Sequence, residues 1–105
     1  MPDGPLPAAL WGIDLRHAAL GLLDGAGRPC TIPELLGSFY NRGLAVEGRR
    51  PAKALADALA HEARKGRAVR VSRGRYQLGT MPSRTRRRIR RRLWLTPHRP
   101  RQPHP

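Results

Sequence analysis

Acidic residues are scarce in this chain. Its 105 residues hold seven Asp and Glu against 21 Lys and Arg, for a formal net charge of +14. So large an excess goes beyond what solubility needs and points to a polyanionic partner, nucleic acid first and an anionic membrane surface second. Cysteine is nearly missing too: Cys30 stands alone. No internal disulfide can form, so a reducing compartment is expected, with Cys30 a small buried apolar residue. His17, His61, His98 and His104 have no partner at metal-ligand spacing, which argues against a zinc site. There is no Gly-rich phosphate loop, no Ser/His/Asp set and no pair of adjacent carboxylates. The expectation is therefore a binding protein, not an enzyme, with no cofactor and no metal. No apolar run is long enough to span a membrane, and the opening Met-Pro-Asp-Gly-Pro lacks the basic start and apolar core of a signal peptide, so a cytoplasmic location is expected.

Lysine is rare as well; Lys53 and Lys65 are the two in the chain. An Ala-, Gly-, Pro- and Arg-rich composition is what a GC-rich genome encodes, and this accounts for the ratio of Arg to Lys. It does not account for clustering. Residues 1–48 carry a net −2, residues 49–79 a net +7, and residues 80–105 a net +9 with no acid. That gradient suggests a directional binding surface.

Residues 1–7, with three prolines and a glycine, read as a flexible lead-in. Leu15, Ala18, Ala19, Leu22 and Leu23 recur at helical spacing and form one apolar stripe, with the start at an Asp14 cap or earlier, near Ala8, and Gly25 and Gly27 the stop. Thr31-Ile32-Pro33-Glu34 is a capping box that opens a second helix, whose apolar face is Leu35, Leu36, Phe39 and Tyr40. Pro51 opens a third helix through about Lys65. Its core face is Leu55, Ala58, Leu59, Glu62 and Ala63, with Glu62 at the edge. Its outer face is Lys53, Asp57, Ala60 and Arg64, flanked by His61. Two alternating segments, 68–72 and 75–78, flank Arg73-Gly74 and predict a hairpin. In it Val69, Val71, Tyr76 and Leu78 would cover the helices, while Arg70 and Arg75 point away. From Thr80 onward arginines crowd out core residues, and 80–105 reads as a disordered tail, transiently helical around Arg86–Leu95.

The fold class is thus mainly α with a small β-hairpin. The carrying residues are Ala26-Gly27-Arg28-Pro29, then Thr31-Ile32-Pro33-Glu34-Leu35, then Pro51 before an Ala/Leu helix, and Val69 to Leu78 in the hairpin. On these, residues 15–79 resemble a winged helix-turn-helix domain, especially the small modules of the bacterial RNA polymerase delta subunit and of some restriction endonuclease fusions. The overall plan, a winged helix followed by a basic tail, also resembles linker histones. The resemblance implies a lead-in over 1–7, a winged-helix domain over 8–79 and an Arg/Pro-rich tail over 80–105. In such a fold the third helix can enter the major groove and the wing can touch backbone or minor groove; winged helices serve in protein interactions too, so the charges and not the resemblance decide for DNA.

Charge then chooses the candidate residues. Arg49, Arg50, Lys53, Arg64, Arg67, Arg70, Arg73 and Arg75 lie on or beside the third helix and wing. Arg49 and Arg50 stand near that helix's N-terminus, Lys53 and Arg64 on its groove side, and Arg73 and Arg75 at backbone or minor groove. Asp57 either pairs with Lys53 at i, i+4 or accepts from a cytosine amino group. Few side chains here can read bases, so weak sequence specificity is expected. The tail adds Arg84, Arg86, Arg87, Arg88, Arg90, Arg91 and Arg92 as an electrostatic arm. Ile89, Leu93, Trp94 and Leu95 leave open a short interfacial helix, and Trp94 a stacking contact with a base. The partner expected is double-stranded DNA in the bacterial nucleoid, bound by an architectural protein or a transcription regulator. RNA, an anionic membrane surface and a protein of a transcription or replication complex are the alternatives.

Overall fold

A computed structural model describes residues 3–96. Its elements run β1 (Ala9–Leu10), α1 (Gly12–Ala26), β2 (Cys30–Thr31), α2 (Ile32–Asn41), β3 (Ala45–Val46), α3 (Pro51–Arg64), β4 (Ala68–Ser72), β5 (Arg75–Leu78) and α4 (Ser83–Leu95). The described residues thus hold four helices and a three-stranded antiparallel sheet of order β2-β5-β4, with β1 and β3 as a separate parallel pair.

Local chemistry sets the boundaries. Thr31 and Glu34 close the capping box reciprocally: the Glu34 amide donates to Thr31 Oγ1 at 3.2 Å and the Thr31 amide to Glu34 Oε1 at 2.8 Å. α1 stops at Gly27, whose φ of 64° lets its amide bond the Leu23 carbonyl. α3 starts at Pro51 and turns Leu55, Leu59 and Glu62 inward.

α1 is the central helix. Leu15, His17, Ala18, Ala19, Leu20, Gly21, Leu22 and Leu23 are all buried, more than the single stripe expected, because α3 and α4 pack on different sides of it. The core continues through Leu35, Phe39, Leu55, Leu59, Cys30, Ala68 and Tyr76.

Two expectations need correction at the ends of the chain. Residues 80–96 are not a disordered tail. Ser83–Leu95 is a helix whose Ile89 and Leu93 join the core. Gly21 favours this packing: a Cβ there would sit 3.1 Å from Leu93 Cδ2, so any side chain would require Leu93 to shift by a few tenths of an ångström. Residues 3–7 are not a loose lead-in either. Leu6 is buried, and its amide bonds Thr96 Oγ1 at 2.7 Å. The rest of the expected tail, 97–105, lies outside the described residues.

The hairpin forms where expected, with the opposite face inward on β4. Ala68 pairs with Leu78 and Arg70 with Tyr76, which puts Ala68 and Tyr76 in the core and leaves Val69 and Val71 exposed. One step along a strand reverses every side chain, and small Ala68, not bulkier Val69, fills the space under α3. The base of the hairpin closes on Gly79. Its amide donates to the Arg67 carbonyl at 2.8 Å, and a Cβ there would stand 2.2 Å from the Gly66 carbonyl oxygen.

Candidate functional site

The fold divides the arginines into those held by internal acids and those facing solvent alone. The deepest holding point is Glu62 on α3. It is 1% exposed and bridges Arg16 of α1 (3.2 Å) and Arg67 before β4. Sequence spacing had put Glu62 at the core edge and Arg67 among the DNA contacts. Both are instead committed to this bridge, because a buried carboxylate must be paired.

The second holding point is Arg92, read from sequence as part of a basic arm and here 3% exposed. Its guanidinium donates to Asp14 Oδ1 (2.8 Å), to the Gly4 carbonyl (2.9 Å) and to His17 Nδ1 (3.2 Å). An arginine has no acceptor, so His17 accepts at Nδ1 and is neutral with its proton on Nε2. Burial, and then the Arg92 charge, push the His17 pKa below its ordinary value. On the same side, Asp24 of α1 takes Arg86 at 2.6 Å and Arg90 at 2.9 Å. Hydrogen bonding from Arg90 holds the Asp24 carboxyl below the usual carboxylate range. Arg88 reaches Asp3 at 3.0 Å. Three of the five acids in the first 48 residues thus neutralise arginines of α4. A sign of this was present in the sequence: Asp14, His17, Gly21 and Asp24 recur at i, i+3, i+7 and i+10, a polar and small stripe along an otherwise apolar helix.

Among the described residues, the cations without a carboxylate partner are Arg42, Lys65 and two groups of arginines. Around α3 and the hairpin, Arg49, Arg50, Arg64, Arg70, Arg73 and Arg75 have no carboxylate partner among the described residues, and all six are exposed. Arg49 and Arg50 lead into α3, and Arg64 closes its last turn. Lys53 and Arg64 share a helix face about 17 Å long. Lys53 itself is paired with Asp57 at 2.9 Å, the i, i+4 pair. Arg73 lies in the hairpin turn. The hairpin is anchored to the start of α2 by the Ile32 amide, which donates to the Gly74 carbonyl. Beside α3, a groove of about 390 Å³ runs against the start of α1, lined by Trp11, Leu15, Glu47, Asp57, His61 and Arg64. Glu47 and Asp57 are matched there by Arg16 and Arg64, so the groove carries no excess of either sign. His61 Nε2 is buried without a partner, and desolvation holds its pKa below the ordinary value.

The other group is Arg84, Arg87 and Arg91, on the side of α4 opposite Ile89 and Leu93 and likewise without carboxylate partners among the described residues. Trp94 extends that row and is 82% exposed. No set of three or more His, Cys, Asp and Glu poised for a metal occurs among the described residues, nor is any helix long and apolar enough to cross a membrane. No family model matches this chain, and neither the curated proteins nor the solved structures contain a match to it.

Proposed function

We propose that this chain is a DNA-binding protein of winged-helix type that acts on double-stranded DNA in the bacterial nucleoid, through α3, its lead-in and the hairpin. The observation that carries the reading is the set of six exposed arginines with no internal carboxylate, Arg49, Arg50, Arg64, Arg70, Arg73 and Arg75, in a chain of net charge +14. Cations that fold against no acid are left for an external polyanion. The element order supports the winged-helix part: three helices, then a hairpin, with the two-residue β2 between α1 and α2 adding a third strand beside β5.

The outer face of α3 offers Lys53, Asp57, Ala60 and Arg64, and the first two neutralise each other. Such a face has little with which to tell base pairs apart, since discrimination needs bidentate donors and acceptors at base edges. The role is therefore architectural, with sequence-tolerant binding through phosphates, in preference to that of a regulator with a defined operator.

Fluorescence anisotropy on a mixed-sequence duplex across a salt series tests this. If about four of the six arginines reach phosphates, log affinity falls with log salt at a slope near −4. Replacing Arg49, Arg50, Arg64 and Arg73 by Ala should weaken binding and make the slope shallower. No binding at low salt, a slope unchanged in the variant, or a clear preference for RNA of the same sequence would overturn the reading.

A further inference from the structure

The row of free arginines on α4 does not belong to the surface just described. It lies on the far side of the molecule. The residues of α1 that hold α4 are Asp14, His17, Gly21 and Asp24. Those facing α3 include Arg16, which meets Glu62, and Leu15, beside Ala54 and Ala58. At about 100° per residue the two sets point nearly half a turn apart around the α1 axis. α3 and α4 thus flank α1 on opposite sides. Each turns its apolar side inward: Leu55 and Leu59 from α3, Ile89 and Leu93 from α4. Their outer faces consequently look away from each other.

With packed helices about 8–10 Å apart, the α3 and α4 axes stand about 16–20 Å apart. One straight duplex cannot lie along both outer faces. We infer that α4 forms a second DNA-binding face, through Arg84, Arg87 and Arg91, and that a single chain bridges two duplexes. The inference rests on the proposed DNA-binding function and adds a second, independent contact to it. Spacing supports it, because 84, 87 and 91 fall at i, i+3 and i+7, one straight row with no acid on α4 to screen it. The arginines beside this row are already held by Asp24, Asp3 and Asp14, so docking of α4 does not need the three free ones.

The test is capture of a second duplex. A biotinylated mixed-sequence duplex is immobilised, the full chain is added, and a fluorescent duplex is offered. The full chain should retain the fluorescent duplex and sediment as a monomer at the same concentration. Arg84→Glu, Arg87→Glu and Arg91→Glu together should abolish capture. Anisotropy should show binding of one duplex weakened by less than about tenfold, since the α3 side is intact. The melting temperature should stay put, because these arginines hold no internal partner, and a Gln triple variant should reduce capture more mildly. A wild-type chain that binds one duplex and captures none overturns the bridge while the proposed function stands. A triple variant that captures as well as wild type overturns it too, as does a dimer that the substitutions dissolve. Loss of all duplex binding by the wild type at low salt would remove the proposed function and the bridge together.

Discussion

Leu93→Ala tests whether α4 belongs to the folded body. Leu93 is nearly buried against Gly21 of α1, at 3.1 Å from where a Cβ would stand there, but it also borders two open grooves beside α2. Truncating a buried leucine costs about 2–5 kcal/mol. Water can reach the space left behind, which places this site near the lower end, about 2 kcal/mol. Alanine is the better helix former, so a fall in stability cannot come from intrinsic propensity and reports lost packing. For a domain of this size each kcal/mol shifts the melting midpoint by about 4–8 °C, which gives a fall of about 8–16 °C. The neighbouring Trp94→Ala is the control: that side chain stands in solvent, and a surface change of this kind stays within about 0.5 kcal/mol. The assay is a thermal melt of both variants by far-UV circular dichroism at neutral pH. A midpoint for Leu93→Ala equal to that of Trp94→Ala would refute the packing of α4 on α1.

Glu62→Ala leaves Arg16 and Arg67 facing an empty buried site and should cost about 3 kcal/mol, read as a lower denaturation midpoint in urea. Gly79→Ala forces a methyl onto the Gly66 carbonyl and should destabilise by about 1–3 kcal/mol, with a proportionate fall in melting temperature. Acidification should weaken the fold through His17. Its folded pKa lies below the unfolded value of 6.5, so the unfolded chain takes up the proton first. Its contribution is complete above pH 6.5 and is lost as pH falls through the folded pKa. Urea midpoints at pH 7.5 and 5.5 should differ more for wild type than for His17→Gln; His61, displaced the same way, adds a parallel effect that His61→Gln isolates.

Much of this fold is legible in the sequence, for reasons that can be named. Thr31, Pro33 and Glu34 mark the start of α2 because the capping box is a local exchange of hydrogen bonds within four residues. The Ala/Leu pattern after Pro51 places α3, and the Lys53–Asp57 pair follows from helical spacing. The inward face of β4 is harder to read, since Ala68 and Val69 are both apolar and the choice between them depends on how much room lies under α3. Helix α4 is nearly illegible. Ile89 and Leu93 are outnumbered by arginines, and the groups that make burial of Arg92 tolerable, Asp14 and His17, are more than 70 residues earlier. No periodicity within a window shows such a pairing. For the same reason the basic candidates divide unevenly: Arg92 is buried and half-buried Arg67 is held by Glu62, while the free arginines around α3 are those that no acid happens to reach.

The long separation between His17 and Arg92, 75 residues, carries a consequence for how the molecule comes into being. At about 5–20 residues per second, a ribosome needs about 4–15 s to make the chain between them. Until α4 is made, Asp14 and Asp24 lack the arginines that neutralise them in the finished protein. A fragment that ends before Ser83 lacks Arg86, Arg90 and Arg92 and so leaves Asp14 and Asp24 without those partners. Helix α4 thus completes the interior and changes the charge of that flank of α1 together.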